Sequence, residues 1–344
     1  MTQNLPKRIL CIRLSAMGDV AMTVPVLLSL TAKYPQLEIT VVSKSQFKPI
    51  FTEIPQVTFQ AAEVKGQHSG IFGIYKLYRS LKTEDFHAVA DLHNVIRSKV
   101  LRNFFRLRGI KIAIIDKGRA EKKHLTQLQP KTLHDLKSTH ERYADVFRKL
   151  GFAFALSPEA LLQKKQLPSL KQLHKLTGKW LGMAPFATHP GKEYPEDLLL
   201  QCLDLLVNEN LTLLLFGAPG SESEKLSTWA DAYPNVHNLA GELDFKDELA
   251  VISNLDLMLA MDSGNGHLAA MYGVPVITLW GVTHPCLGFA PFNQPKINQI
   301  TSDRELFPMI PTSVYGNKLP VDYERVMQTI SPERVIEKVK EILV

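Results

Sequence analysis

The sequence lacks the features of a membrane-spanning or disulfide-linked protein. No apolar run reaches the roughly 18 residues that a membrane-spanning helix needs. The three cysteines, Cys11, Cys202 and Cys286, are too widely spaced for a disulfide framework or a zinc site. Near the start, Arg13 follows the apolar run ILCI at once, which argues against a signal peptide. We therefore expect a soluble protein that stays in the cytoplasm.

Several signatures of catalytic and cofactor sites are also missing. No two histidines stand at the spacing of metal ligands, and there is no Asp-x-Asp pair, so no metal site is indicated. The first predicted turn, from Arg13 to Asp19, is not a Gly-x-Gly-x-x-Gly sequence, which argues against a dinucleotide site there. No Gly-x-Ser-x-Gly elbow or Cys–His pairing indicates a covalent nucleophile.

The composition is that of a large, mildly basic globular protein. Hydrophobic residues make up 45% of the 344 residues and charged residues 22%, which suits a folded chain with a core for two domains. The formal net charge of +6 is compatible with a phosphorylated ligand, a nucleic acid or an anionic lipid as partner. Charge alone does not choose among these, and a mildly basic protein without such a partner is the simpler alternative.

Strand and helix patterns alternate along the chain, which indicates two α/β halves with parallel sheets. The predicted divisions are an N-terminal domain over 1–160, a linker over 161–178, a C-terminal domain over 179–330 and a final helix over 331–344. The final helix is capped by Ser331 and is a candidate to pack back on the N-terminal domain. One long helix is predicted over 20–34. Residues 116–138 have little periodicity and several lysines, which predicts a surface loop that could bind an acceptor.

The stretch from 255 to 285 is the most informative part of the chain. An apolar strand over 257–261 runs into a turn over 262–267 and then into a short helix. A tight turn between a parallel strand and a helix aims free backbone N–H groups at one point, which suits a phosphate. An ordinary turn capped by Asp262 or Ser263 explains the same pattern equally well. His267, just inside the helix, is either a packed residue or a ligand contact.

Other residues at predicted strand ends also have two interpretations. Asp19 either caps a helix or acts as a base in a cleft. Lys192 either clamps a phosphate or is a solvated lysine in a turn. Glu222 and Glu224 either hold ribose hydroxyls or favour a helix N-terminus electrostatically. The basic amphipathic segment 97–108 either lies on an anionic membrane or covers a sheet.

Four motifs resemble glycosyltransferase family 9, the lipopolysaccharide heptosyltransferases that use ADP-heptose. The motifs are RLSAMGDV, KEYP, LLFGAPGSESE and MDSGNGHLAAMYGVPVITLWG, and their order and spacing cover most of the chain between residues 8 and 285. The resemblance implies a GT-B fold, in which two Rossmann-like domains with parallel sheets face each other across a cleft. It also implies a metal-independent inverting transfer with no cofactor beyond the ADP-sugar.

The resemblance also implies roles for particular residues. It makes Asp19 the candidate base, Lys192 a pyrophosphate ligand and Glu222 a ribose ligand. The nucleotide-sugar turn would comprise Asp262, Ser263, Gly264 and His267. Weaker candidates for acceptor binding are Ser15, Gly18, Arg97, Lys122 and Lys123. Tyr194 departs from the family, because many members have Trp at that position.

The expected acceptor is an acidic glycolipid, a lipopolysaccharide core or lipid A-type molecule, reached by peripheral contact with the inner membrane surface. No nucleic acid partner is expected. Two other functions fit the same residues. A sugar-nucleotide epimerase of this architecture would convert the donor without an acceptor. A non-catalytic binder of nucleotides or anionic polymers would need only the basic charge and the phosphate turn.

Overall fold

The computed structural model describes residues 5–169, 173–207 and 210–343. Backbone contacts divide the chain into two compact units. Unit 1 comprises Met1–Lys117 and Thr139–Leu162, and unit 2 comprises Gly118–Ser138 and Gln163–Val344. Each unit has its own parallel sheet with helices, so the prediction of two Rossmann-like α/β domains is confirmed.

Unit 1 is built on a five-stranded sheet. Its strands are β1 (Arg8–Ile12), β2 (Glu38–Ser43), β3 (Val57–Ala61), β4 (Ala88–Asp91) and β5 (Lys111–Ile114). They pair in parallel in the order β3-β2-β1-β4-β5. Its helices are α1 (Met17–Ala21), α2 (Val24–Lys33), α3 (Lys48–Phe51), α4 (Gly70–Leu81), α5 (Ile96–Arg106) and, after α6 of unit 2 (Arg119–Leu125), α7 (Thr139–Leu150). Strand β1 is central and almost wholly buried, as expected for a strand covered on both faces.

The single long helix predicted over 20–34 is wrong, because the structure has two helices there. Helix α1 ends at Ala21, and α2 begins at Val24 with a proline in its first turn. Pro25 has no N–H group to donate to the carbonyl of Ala21, so an uninterrupted helix would lose a hydrogen bond and meet a steric clash. At the break, the Thr23 hydroxyl donates to the carbonyl oxygen of Val20 at 2.7 Å.

The segment expected as a loop over 116–138 contains helix α6, and its residues 118–138 belong to unit 2. Its apolar side chains form a small core with a later part of the chain. This cluster consists of Leu125, Leu133, Leu136, Cys286, Leu287 and Phe289. The three leucines of the segment are irregularly spaced in the sequence, so neither a helical nor a strand periodicity predicts that they are buried.

Unit 2 is built on a six-stranded sheet. Its strands are β6 (Lys179–Ala184), β7 (Leu211–Leu215), β8 (Val236–Asn238), β9 (Leu257–Met261), β10 (Val276–Trp280) and β11 (Gln299–Thr301). They pair in parallel in the order β11-β10-β9-β6-β7-β8. Its later helices are α8 (Glu196–Leu206), α9 (Ser221–Ala232), α10 (Phe245–Ile252), α11 (Gly264–Ala270) and α12 (Pro332–Leu343). Strand β11 is only three residues long and was not predicted.

The C-terminal helix α12 begins as predicted, with Ser331 before it. The Ser331 hydroxyl accepts the backbone N–H of Arg334 at 3.3 Å. The apolar face of α12 packs against α8 within unit 2, where Val335 and Val339 join the core. Across the described parts of the chain, none of the helices combines the length and the hydropathy needed to cross a membrane.

Candidate active site

Three neighbouring strands of unit 2 carry candidate donor residues where they end. Strands β9, β6 and β7 are adjacent and parallel, so their carboxyl ends lie at one edge of the sheet. Asp262 follows β9, Lys192 lies in the turn after β6, and Glu222 follows β7. Ligands of open α/β sheets bind beyond this edge. The sheet order therefore places these three side chains where a nucleotide is expected.

Lys192 and Asp262 contact each other directly. The Lys192 Nζ atom lies 2.7 Å from Oδ2 of Asp262 and donates to the Asp262 carbonyl oxygen at 3.1 Å. The buried Thr283 hydroxyl donates to the same Oδ2 at 2.9 Å. The Lys192 side chain is only 15% exposed, so it is not the solvated turn lysine of the alternative interpretation.

The turn after β9 opens helix α11 earlier than the sequence indicated. The helix runs over Gly264–Ala270, and the Ser263 side chain makes no capping hydrogen bond. Asp262 is engaged by Lys192 and Thr283 instead. His267 is buried in the first turns of the helix. The capped-turn interpretation therefore does not describe this part of the chain.

Glu222 lies in the first turn of α9 and closes its own loop. Its Oε2 atom accepts the backbone N–H of Ala218 at 2.7 Å. A Cβ atom added to Gly217 would lie 3.1 Å from the same oxygen, so the loop and the carboxylate are in close contact. The structure thus gives Glu222 a local structural role, and ribose binding stays a prediction.

In unit 1, Asp19 lies in the first turn of α1 and contacts several groups. Its carboxylate forms an ion pair with Arg13 and accepts the Ala16 backbone N–H at 3.3 Å. The Tyr143 hydroxyl donates to the Asp19 carbonyl oxygen at 3.3 Å. Burial, more than its contacts with charged neighbours, raises the pKa of Tyr143 well above its ordinary value, so the hydroxyl stays protonated. By accepting the Ala16 N–H, the Asp19 carboxylate caps the first turn of the helix. The Asp19 side chain is 30% exposed, so it also remains accessible to solvent.

A buried polar network lies at the end of β4. The fully buried Asp91 accepts the backbone N–H groups of His93 at 2.9 Å and of Asn94 at 2.7 Å. Its other carboxylate oxygen lies 2.5 Å from NH1 of Arg102. His93 accepts the Leu14 N–H through Nδ1 at 3.3 Å, and burial lowers its pKa to about 3.

The predicted acceptor residues are divided between the two units. Ser15 lies in the turn between β1 and α1, Gly18 lies beside Asp19 in α1, and Arg97 is exposed on α5 of the same unit. Lys122 and Lys123 belong to unit 2 instead. Lys122 is buried, with Nζ 3.7 Å from the centre of the Phe289 ring, and only Lys123 is exposed. Burial of Lys122 in this cation–π contact is a structural role that the lysine-rich sequence did not reveal.

Tyr194, to which the sequence assigned no role, is buried in the core, and its hydroxyl donates to the Ile330 carbonyl oxygen at 2.6 Å. Thr283 was not indicated by the sequence analysis, although it lies just after β10, at the carboxyl end of a strand, where ligand-binding residues occur in such sheets. Gly316 was also missed. Gly316 itself is buried, but it lies far along the sequence, and no local pattern indicates that it contacts Lys192.

The family model described as glycosyltransferase family 9 (heptosyltransferase) matches residues 74–309. The chain belongs to glycosyltransferase family 9. Among its relatives, the lipopolysaccharide core heptosyltransferase OpsX of Haemophilus influenzae is 26% identical over 300 residues, covering 84% of this chain and 82% of the relative. The predicted family is therefore confirmed.

Solved structures show the same fold. A family 9 glycosyltransferase from Veillonella parvula superposes with a TM-score of 0.74 at 20% identity, covering 98% of this chain and 97% of that chain. The Escherichia coli heptosyltransferase WaaC with ADP gives a TM-score of 0.71 at 18% identity, covering 97% and 99%. At this level of identity the likeness supports the GT-B fold alone.

Within residues 5–169, 173–207 and 210–343, no three His, Cys, Asp or Glu side chains come together as a metal-binding cluster.

Proposed function

We propose that this protein transfers a heptosyl group from ADP-heptose to a sugar hydroxyl of a lipopolysaccharide-core acceptor, with inversion at the anomeric carbon. The family match over residues 74–309 carries the proposal, because that range contains the strand ends with Lys192, Glu222 and Asp262. The name of the Haemophilus influenzae relative and the ADP in the Escherichia coli structure support the acceptor class and the donor.

In the proposed reaction, unit 2 binds the donor. The bond between the anomeric carbon and the β-phosphate oxygen breaks, the sugar gains oxocarbenium character, and ADP leaves with added negative charge. An ammonium fixed next to that oxygen stabilises the charge as it develops. Lys192 is already held at the strand ends by Asp262, so it meets the diphosphate without first being ordered.

Asp19 is the proposed base. The acceptor hydroxyl attacks the anomeric carbon from the face opposite ADP, and its proton passes to the Asp19 carboxylate. Arg13, whose side chain is 6% exposed, orients that carboxylate through the ion pair. A direct displacement with a base and no covalent intermediate gives inversion. The chemistry requires Asp19 of unit 1 and the donor of unit 2 to meet during the reaction.

The proposed transfer uses Lys192 where other glycosyltransferases use a divalent cation. Activity is therefore expected to persist in excess EDTA and to show no increase with added Mg²⁺ or Mn²⁺. A loss of activity in EDTA that Mg²⁺ restores would contradict this part of the proposal.

The acceptor side is proposed to contact an anionic membrane surface through α4 and α5. The two helices pack together, with the Tyr75 and Phe104 rings 5.4 Å apart. Exposed apolar side chains on them are Ile71, Phe72 and Ile96, and exposed cations on α5 are Arg97, Lys99 and Arg106. This combination suits a lipid surface with acidic headgroups. Arg102, which lies within the basic segment 97–108, is buried and does not contribute.

Vesicle co-sedimentation tests the membrane contact. Retention on anionic vesicles is expected to exceed retention on neutral ones and to fall at high salt. Phe72→Ser, which removes a side chain that is 87% exposed, is expected to lower retention several-fold. Ile297→Ser removes an exposed apolar residue of unit 2 and serves as the control. Equal retention of the two variants would refute the proposal that α4 and α5 contact the membrane.

Calorimetry with ADP and ADP-heptose tests the donor site. Lys192→Ala is expected to weaken ADP binding by about 1.5–3 kcal/mol, the usual range for a hydrogen bond to a charged group. Lys246→Ala, at an exposed lysine on α10, is the matched control and is expected to bind as the wild type does. Unchanged affinity in Lys192→Ala would remove that residue from the site. Conversion of the donor without an acceptor would instead favour the epimerase.

A further inference from the structure

The side chain of Lys192 lies against the backbone of a distant turn. A Cβ atom added to Gly316 would lie 2.6 Å from Cγ, 2.9 Å from Cε and 3.0 Å from Cδ of Lys192. Carbon atoms do not approach so closely, so any side chain at position 316 would push the lysine aside. Gly316 also has a φ angle of +83°, in the region that glycine enters most readily.

The turn with Gly316 is fixed by its own hydrogen bonds. The buried Ser313 hydroxyl accepts the backbone N–H groups of Tyr315 at 3.3 Å and of Gly316 at 3.0 Å. Just before it, the Thr312 N–H donates to the Val282 carbonyl oxygen, and the Val282 N–H donates to the Gly191 carbonyl oxygen, each at 2.9 Å. The turn is thus connected by hydrogen bonds, through Val282 just after β10, to the residue that precedes Lys192.

The ammonium group is fixed from the other end. Its Nζ atom donates a hydrogen bond to the Asp262 carbonyl oxygen and forms an ion pair with the Asp262 carboxylate. Thr283, which is 1% exposed, holds the carboxylate in place. Among the described residues, Lys192 Nζ donates one hydrogen bond, so N–H groups of the ammonium remain for a phosphate oxygen.

We propose that Gly316 and Thr283 are positioning residues that hold Lys192 in the geometry that binds the donor. The proposal rests on the proposed function, since it takes Lys192 as the ligand of the diphosphate. A free lysine side chain samples many rotamers and loses that freedom when it binds an anion. Here the Gly316 backbone confines the stem and the Thr283–Asp262 pair confines the ammonium, so the ordering is complete before the ligand arrives.

Gly316→Ala tests the wall beside the stem, and Gly109→Ala is its matched control. Gly109 has a similar φ of +77° but no atom within 4 Å of an added Cβ, so the two variants share the backbone strain and differ in the contact with Lys192. Gly316→Ala is expected to weaken ADP binding roughly 10-fold, raise the donor KM and lower kcat. Gly109→Ala is expected to keep all three values, since a side chain there meets nothing.

Combining the variants separates an effect through Lys192 from a general one. The double variant Gly316→Ala/Lys192→Ala is expected to bind ADP no more weakly than Lys192→Ala alone. Thr283→Val is expected to weaken ADP binding as well, whereas Thr283→Ser keeps the hydroxyl and restores it. These threonine variants test the proposal even if Gly316→Ala does not fold.

The outcomes distinguish this proposal from the proposed function. If Lys192→Ala weakens ADP binding while Gly316→Ala matches Gly109→Ala, the donor site stands and the role of Gly316 is refuted. Additive losses in the double variant would also refute it, because the glycine would then act without the lysine. Unchanged binding in Lys192→Ala would refute both.

Discussion

Replacing Arg102 with alanine is expected to destabilise unit 1 without acting on any ligand. Arg102 belongs to the basic segment 97–108, which could lie on an anionic membrane according to the sequence, but the structure buries it against the fully buried Asp91. Removal of one partner from a buried ion pair typically destabilises a protein by about 3–5 kcal/mol, because the other charge is left uncompensated. The Asp91 carboxylate would keep the hydrogen bonds that it accepts from the N–H groups of His93 and Asn94. We therefore expect the free energy of unfolding to fall by an amount near the lower end of this range, about 3 kcal/mol.

Urea unfolding followed by far-UV circular dichroism measures this loss. Arg106→Ala, at an exposed arginine of the same helix, is the matched control and is expected to stay within about 0.5 kcal/mol of the wild type. Tryptophan fluorescence alone would miss much of the change, because Trp180, Trp229 and Trp280 all lie in unit 2. Adding Asp91→Asn to Arg102→Ala removes the buried charge and is expected to recover part of the stability.

The result that would refute this reasoning is equality of the two arginine variants. Arg102→Ala and Arg106→Ala would then unfold at the same urea concentration, which would mean that water reaches Asp91. A second contradictory result would be loss of vesicle binding in Arg102→Ala with unchanged stability. That outcome would return Arg102 to the role of a lipid-binding cation.

Two further predictions follow from unit 1. Asp19→Asn is expected to lower kcat about 10²–10⁴-fold through loss of the base while ADP binding is kept, and wild-type kcat on the true acceptor would leave the base unidentified. Because the change also leaves Arg13 without its ion pair, the melting temperature is expected to fall rather than stay constant. Burial lowers the pKa of His93 to about 3, whereas the unfolded chain takes up that proton near pH 6.5. Keeping His93 neutral therefore costs no stability above about pH 6.5. As the pH falls from there towards 3, the free energy of unfolding decreases by up to about 1.4 kcal/mol per pH unit. Urea midpoints of His93→Gln at pH 7 and pH 5 are expected to differ less than those of the wild type, and equal differences would contradict the prediction.

Most elements of the fold were predictable, because strands and helices alternate with clear apolar patterns. Strand β9 has the predicted bounds, and helix α12 begins directly after the predicted cap, Ser331. The errors have local causes. A proline at position 25 divides a helix whose apolar pattern runs straight through, and β11 is too short for any pattern to form.

The candidate site was predictable only where its residues follow strands. Lys192 and Asp262 stand at strand ends in the sequence, and the structure brings them into contact. Burial was not predictable in the same way. Arg102 and Lys122 look like surface cations in the sequence, since only the folded chain brings Asp91 and Phe289 next to them. Gly316 contacts Lys192 across more than a hundred residues of chain, and short-range patterns contain no information about such a pair.

The segment 118–138 affects how the halves of this enzyme can be exchanged or expressed. The chain passes from unit 1 to unit 2 at 117/118, returns at 138/139, and crosses again at 162/163. A hybrid made at a single junction near 162 would join this segment to a foreign unit 2. In the native chain, three leucines of this segment pack against Cys286, Leu287 and Phe289; the leucines are Leu125, Leu133 and Leu136. In the hybrid they would pack against foreign residues at those positions. An exchange of unit 2 between family members therefore has to move 118–138 together with 163–344, because these two segments form one compact unit.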